Sequence, residues 1–286
     1  MDHVAARLAS RRLVKVIIGL THFDLAEIRD LTRVYTFAGA DIIDVAAAPD
    51  VVAAARAAMS GIENEFPGHG GATRLMVSAA LAHDPHIEGV RLDPAHRSAI
   101  APTGPAQLAD TVSACLALGA EMVEVHASDS DDSALTAALE GLHPVLGDRY
   151  LSVCLGTHGV RSSQDVIRQA SLARRIHGEA TMIQAEGLSA AGRADPASSL
   201  AGLALAQALL AHTDTYVLVA GAANHWTRHT AEVLGVRVHG VASGTYARDL
   251  VKAFQATSPR DPGWEPAARV ARAFVDQLRG AGERDG

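Results

Sequence analysis

Lysine is nearly absent. The chain contains only Lys15 and Lys252, and the other 23 of its 25 basic residues are arginine. That bias fits a GC-rich bacterial coding sequence, and it makes each lysine conspicuous. Cysteine is scarce too: Cys115 and Cys154 form no CxxC pair, which excludes a disulfide framework. Aromatic residues make up 4% of the chain, and small residues suit closely packed helix–strand layers better than an aromatic-lined protein interface. No apolar run reaches membrane-spanning length, and the opening MDHVAARLASRRLVKVIIGL lacks the apolar core of a signal peptide. A cytoplasmic address is expected, with no membrane partner. The net charge is −7 and no basic stripe is present, so nucleic-acid binding has no electrostatic support.

What is present is a regular alternation. The chain has 286 residues, 48% of them hydrophobic. Apolar strands are expected at 14–20, 41–46, 74–79, 122–127, 150–156, 180–186, 215–221 and 238–244. Helical periodicity fills 24–40, 49–59, 104–120, 131–146, 162–178, 198–213, 224–235 and 245–255 between and after them. Asp24 reads as a cap and Pro49 as a first-turn proline. Eight βα units in one chain predict an α/β fold, a single (β/α)8 TIM barrel. A doubly wound sheet would show a Gly-rich turn after strand one, and THFD stands there instead. One domain is expected, with a capping helix in 1–13, the barrel in 14–255 and a helical tail in 256–286. The long connections 60–72, 80–103 and 187–197 read as lids over the barrel mouth.

Active sites of such barrels lie at the C-terminal ends of the strands. The stretch EMVEVHAS (121–128) puts Glu124 and His126 on one face of strand four and Val123 and Val125 on the other. The same phase gives Lys15 and Thr21, Asp44, Ser78, Ser152 and Cys154, and Gln184 and Glu186 on other strands. Buried titratable groups sharing one phase point to a barrel mouth. Asp44, Glu124, His126, Glu186 and Lys15 are the candidate catalytic residues. Lys15 is open to two readings, a Schiff-base amine or a buried ion pair with Asp44 or Glu124. Thr21, His22, Ser78, Cys154 and Gln184 are candidate substrate contacts. His158 and His225 fall in loops.

Strands seven and eight end in AGAAN (220–224) and ASGTY (242–246). Small residues opening a helix leave backbone N–H groups for a phosphate. Gly221, Ala222, Asn224, Ser243, Gly244 and Thr245 are therefore candidate phosphate contacts, with Arg91, Arg193 or Arg248 as added charge. No cofactor is firmly implied. A divalent ion on Asp44, Glu124, His126 and Glu186 is one alternative, and FMN on the strand seven and eight loops is the least supported.

KVIIGLTHFD (15–24), AGADIIDVAA (38–47) and MIQAEG (182–187) resemble a barrel family of conserved hypothetical proteins from cyanobacteria and algal plastids. A related region occurs in the light-dependent circadian-period modulator of cyanobacteria, behind an iron–sulfur part. The likeness is closest at the N-terminus and strand six and covers the rest by order of elements. Two Asn of that family stand as Thr21 and His22 here. More widely, the chain is similar to ribulose-phosphate-binding barrels, including aldolases, thiazole synthase and formylfuranmethyl-phosphate synthase. The last shares GADIIDV (39–45), followed there by a catalytic lysine and here by Ala46.

The resemblance implies a metabolite site at the barrel mouth. The expected function is a lyase, aldolase, synthase or isomerase using acid–base chemistry on a small phosphorylated carbonyl compound. The alternative is a metabolite-binding regulatory protein without turnover. Barrels of this kind often pair as homodimers, and no stretch of the sequence marks such an interface.

Overall fold

A computed structural model describes residues 2–81, 84, 87, 90–157, 162–187, 195–254, 261 and 263–280. Its eight strands close in sequence order into a parallel barrel, β1 pairing with both β2 and β8. They are β1 Leu13–Gly19, β2 Ile42–Ala46, β3 Arg74–Ala80, β4 Met122–His126, β5 Leu151–Gly156, β6 Thr181–Glu186, β7 Tyr216–Ala220 and β8 Gly240–Ser243. The helices are α1 His3–Ala9, α2 Leu25–Ala38, α3 Pro49–Glu65, α4 Pro94–Ile100, α5 Pro105–Ala117, α6 Asp132–Leu146, α7 Ser163–His177, α8 Leu200–His212, α9 Thr227–Val233, α10 Thr245–Lys252 and α11 Trp264–Arg279. This is the (β/α)8 fold read from the sequence. No helix among the described residues is long and apolar enough to cross a membrane.

The pleat sorts each strand into two faces. Val14, Val16, Ile43, Val45, Val77, Val123, Val125, Val153, Ile183, Val217, Val219 and Val241 form one apolar layer with the helices. The opposite phase fills the barrel. Its floor is Leu13, Ile42, Met76, Met122, Met182 and Leu218, closed from below by Val4 and Leu8 of α1. Higher inward positions are small: Ala46, Ala80, Gly156, Ala220 and Ala242. These small residues stand level with the large polar ones, Ala80 beside His126 and Gly156 and Ala220 beside Glu186.

Two connections depart from expectation. Helix α3 runs to Glu65 rather than ending near residue 59, because Ile62 continues its buried face. The rest of 60–72 leads from a helix into the start of β3, so it lies on the barrel floor and is no lid. There His69 stacks on Phe37 at 4.4 Å and Phe66 on Trp264. The 80–103 connection, in its described residues, follows the C-terminal end of β3. It carries α4, opened by Asp93, whose side chain accepts from His96 N, and by Pro94. His96 stacks on Phe23 at 4.0 Å, which fastens α4 to the β1–α2 turn. The third expected lid, 187–197, falls largely outside the described residues. The tail contributes a full amphipathic helix, α11, burying Trp264, Ala267, Ala271, Phe274 and Leu278 against the barrel's outer layer.

One buried acid ties the floor together. Asp41 is 1% exposed. Its Oδ1 accepts from Arg7 of α1 and Arg279 of α11, both at 3.1 Å, and lies 2.9 Å from His3 Nε2. Its Oδ2 accepts from Val14 N at 2.8 Å. Removing one member of a buried ion pair strands the others. Asp41→Ala should therefore lower unfolding free energy by about 3 kcal/mol or more, read as a lower urea midpoint at unchanged m-value. A shift under about 1 kcal/mol, the median for surface pairs, would contradict this.

Candidate functional site

Above the apolar floor, the inward positions turn polar together. Lys15 is fully buried. Its Nζ donates to Glu124 Oε2 at 2.6 Å and Gln184 Oε1 at 2.9 Å, and lies 2.9 Å from Asp44 Oδ2. An ammonium has three N–H donors; Glu124 and Gln184 accept two of them, and Asp44 stands beside it as an ion-pair partner. Ser78 Oγ donates to Asp44 Oδ1 and Ser152 Oγ to Glu124 Oε2, both at 2.6 Å. Strand register places these partners: Ser78 and Ser152 both lie beside Glu124 on the neighbouring strands.

Burial alone would discharge every one of these groups. It works to lower the Lys15 pKa, but the charges of Asp44 and Glu124 more than reverse it, and the net shift is upward. Burial works to raise Glu124, and Lys15 and His126 overcome it, holding the carboxyl at about 2. For Asp44 burial prevails, helped by the charge of Glu124, and its pKa is raised despite Lys15 and Ser78. The shifts favour the charged forms of Lys15 and Glu124 and the neutral form of Asp44. This geometry realises the ion-pair reading of Lys15.

The next layer faces the mouth. His126 Nε2 lies 3.2 Å from Glu124 Oε1. Cys154 Sγ donates to Glu186 Oε2 at 3.4 Å and accepts from Gln184 Nε2 at 3.3 Å. Burial first, then the charges of Glu186, Glu124 and Asp84, push the Cys154 thiol well above its usual range. His126 and Glu186 are 5% and 7% exposed, against 0% for Lys15, Asp44, Glu124 and Cys154. They are the groups a ligand entering from above meets first. The ligand atoms of Glu124, His126 and Cys154 lie within 4.8 Å of one another. The converging trio contains Cys154, where the sequence suggested Asp44 and Glu186.

The remaining candidates are dispersed. Thr21 is half-buried past the end of β1. It follows an irregularity between Ile17 and Gly19, where Gly19 takes a φ of 131°. His22 pairs with Glu27 of α2 at 3.1 Å. Asn224 is fully buried and staples its own loop: Nδ2 donates to Asp195 O, and Oδ1 accepts from Trp226 N. Ser243 donates to Ala223 O at 2.7 Å. Neither side chain is directed to a phosphate, because both satisfy buried backbone carbonyls or amides. Gly221, at φ 74°, packs so closely on Gly187 that a Cβ would lie 2.5 Å from its carbonyl oxygen. Ala222 is left-handed at φ 53°. Gly244 and Thr245 open α10 beside Arg248, whose guanidinium donates to Ile17 O, Ile18 O and Thr245 Oγ1. Arg91 is exposed. His225 Nδ1 lies 2.7 Å from Tyr246 OH. Arg193 and His158 lie outside the described residues.

Two members of the site escaped the candidate set. Ser152 shares the inward phase, and its value lies in bonding Glu124. Asp84 is 1% exposed and acts on Cys154, but it sits in a loop without periodicity.

A family model described as "Light dependent period A C-terminal domain" matches residues 115–270. One described as "Protein of unknown function (DUF561)" matches residues 1–62. No curated protein matches the chain. Among solved structures it is similar to a putative fructose-1,6-biphosphate aldolase from Coccidioides immitis, at 13% identity over 98% of this chain and 96% of that one, TM-score 0.57. It is also similar to a truncated 3-deoxy-D-arabino-heptulosonate 7-phosphate synthase from Thermotoga maritima, at 8% identity over 91% and 84%, TM-score 0.56. A third is a putative lyase/mutase from Burkholderia cenocepacia, at 15% over 88% and 84%, TM-score 0.52. These neighbours are TIM-barrel proteins titled as aldolase, synthase and lyase, and at such identities they share the fold alone.

The buried charges give a signed pH prediction. In the native chain Glu124's depressed pKa contributes stability present above the unfolded value of about 4.3, and lost as pH falls toward about 2. In Lys15→Met the compensating charge is gone, and burial should lift the folded Glu124 pKa above the unfolded value. Stability of the variant then rises as pH falls through the lifted pKa. Urea unfolding should show a loss of about 3–5 kcal/mol at pH 8, shrinking at pH 5. A loss that is equal at both pH values would contradict the network.

Proposed function

The chain belongs to the family of the light dependent period A C-terminal domain, and from its barrel mouth we propose a lyase, aldolase, synthase or isomerase acting on a small phosphorylated carbonyl compound. The observation that carries the proposal is one contact and its neighbour. An ionised carboxylate, Glu124, faces His126 at 3.2 Å, while Glu186 stands one strand beyond Cys154 at the same open end. Enolisation next to a carbonyl needs a positive end at the oxygen and a base at the carbon. An N–H of His126, oriented by Glu124, would supply the first and Glu186 the second. Lys15 keeps Glu124 charged without entering the reaction, and Asp44 holds Lys15 from the far side.

A phosphate on the substrate would rest at the start of α10, on the backbone of Gly244 and Thr245 with Arg248 alongside. The α4 loop, pinned through His96 and Phe23, would cover the substrate. The reaction needs neither nucleic acid nor membrane, and a cytoplasmic setting suits it. A regulatory protein of the same fold would bind the metabolite and leave its C–H bonds intact.

Incubation in D2O with a panel of small phosphorylated aldehydes and ketones, followed by proton NMR, separates the two. The proposal expects loss of the signal α to one carbonyl, slowed about 10²-fold or more in Glu186→Gln and in His126→Gln. Saturable binding with no exchange of any compound would turn the reading to a sensor.

A further inference from the structure

We propose that the mouth of this barrel is a transition-metal centre, with a zinc-class divalent ion held by Glu124, His126 and Cys154. The inference rests on the carbonyl chemistry above for its purpose, though not for its geometry. One ligand atom from each of the three residues lies within 4.8 Å of the other two. The backbone sets that convergence. Glu124 and His126 are alternate residues of β4, so they share the inward face. Cys154 stands directly beside His126 on β5. Three ligands on two adjacent barrel strands form a frame that closes on an ion by drawing its ligand atoms together.

Outer contacts already orient two of the three. Lys15 and Ser152 both hold Glu124 Oε2 at 2.6 Å, which turns Oε1 toward His126. Gln184 Nε2 donates to Cys154 Sγ, and its Oε1 accepts from Lys15. Carboxylate and thiolate ligands supported in this way keep their direction when the ion is absent.

The donor set selects the ion. Magnesium and calcium take oxygen ligands. One nitrogen, one oxygen and one sulfur suit zinc or a neighbouring first-row ion. Three protein ligands leave a fourth position, and it faces the mouth, where His126 and Glu186 have their slight exposure. That is the arrangement of a reactive site rather than a closed structural one. The substrate class follows: a carbonyl oxygen takes the fourth position and is polarised there, and Glu186 moves the proton. On loading, the Cys154 S–H bond breaks as the metal–sulfur bond forms. The proton passes to Glu186, 3.4 Å away, and then to solvent, with no change of oxidation state.

The test uses the full chain, stripped with chelator and titrated with Co2+ and then Zn2+. One ion per chain is expected, and the Co2+ form should show a near-ultraviolet thiolate-to-cobalt band. Cys154→Ser should abolish that band, Cys115→Ser should leave it, and His126→Ala should weaken binding at least 10-fold. Absence of the band in the unmodified chain overturns the proposal without recourse to any variant. A band that survives Cys154→Ser overturns it equally. The D2O exchange assay, run beside the titration, keeps the two claims apart. Stoichiometric ion binding with no exchange supports the metal centre and removes the carbonyl chemistry, whereas exchange without ion binding does the reverse.

Discussion

A single ammonium ion placed in the middle of a barrel governs this structure. Taking Lys15 out of water is expensive, by several kcal/mol even after relaxation. The chain offsets that cost with hydrogen bonds to Glu124 and Gln184 and an ion pair with Asp44. Those partners come from β4, β2 and β6, so one side chain cross-links the barrel through its interior. The same contact fixes the site. With Oε2 of Glu124 occupied by Lys15 and Ser152, only Oε1 remains to face His126. What looks like a stability device is therefore also what aims the reactive carboxylate.

The barrel is graded from floor to mouth, and its chemistry follows the grade. Methionine and leucine fill the bottom, the charged layer sits above them, and small residues alternate with His126 and Glu186 at the top. Two aspartates three residues apart show how sharply position decides role. Asp41 precedes β2 and anchors α1, β1 and α11 from the floor side. Asp44 points inward and holds Lys15. Asp41 lies just before β2 and Asp44 within it, on its inward face.

Strand phase made the interior legible. Lys15, Asp44, Ser78, Glu124, His126, Cys154, Gln184 and Glu186 can all be picked out by alternation, because a closed barrel forces inward and outward sets to differ in polarity. Loops were less readable, for physical reasons. A long connection reveals its length but not its end of the barrel, and 60–72 proved to be on the floor because it follows a helix. Asn224 and Ser243 resemble ligand contacts by type, yet loop backbone groups claimed them first. Asp84 carries no periodic signal at all. Arg248 was visible as a charge, and only folding brings it to the carbonyl ends of β1. The Asp93–Pro94 pair opens α4 inside 80–103, a stretch read from the sequence only as a long connection.

The central claim is the charge state of one amine, and the scarcity of lysine makes it measurable. With lysine Nζ labelled by nitrogen-15, the chain should give only two side-chain signals. The account predicts that one of them shows ammonium protons protected from solvent exchange at pH 7, and keeps its ammonium shift beyond the ordinary lysine value of about 10.4. A Lys15 signal already at the neutral-amine shift between pH 7 and 8 would contradict it, and would restore the lysine as a nucleophile.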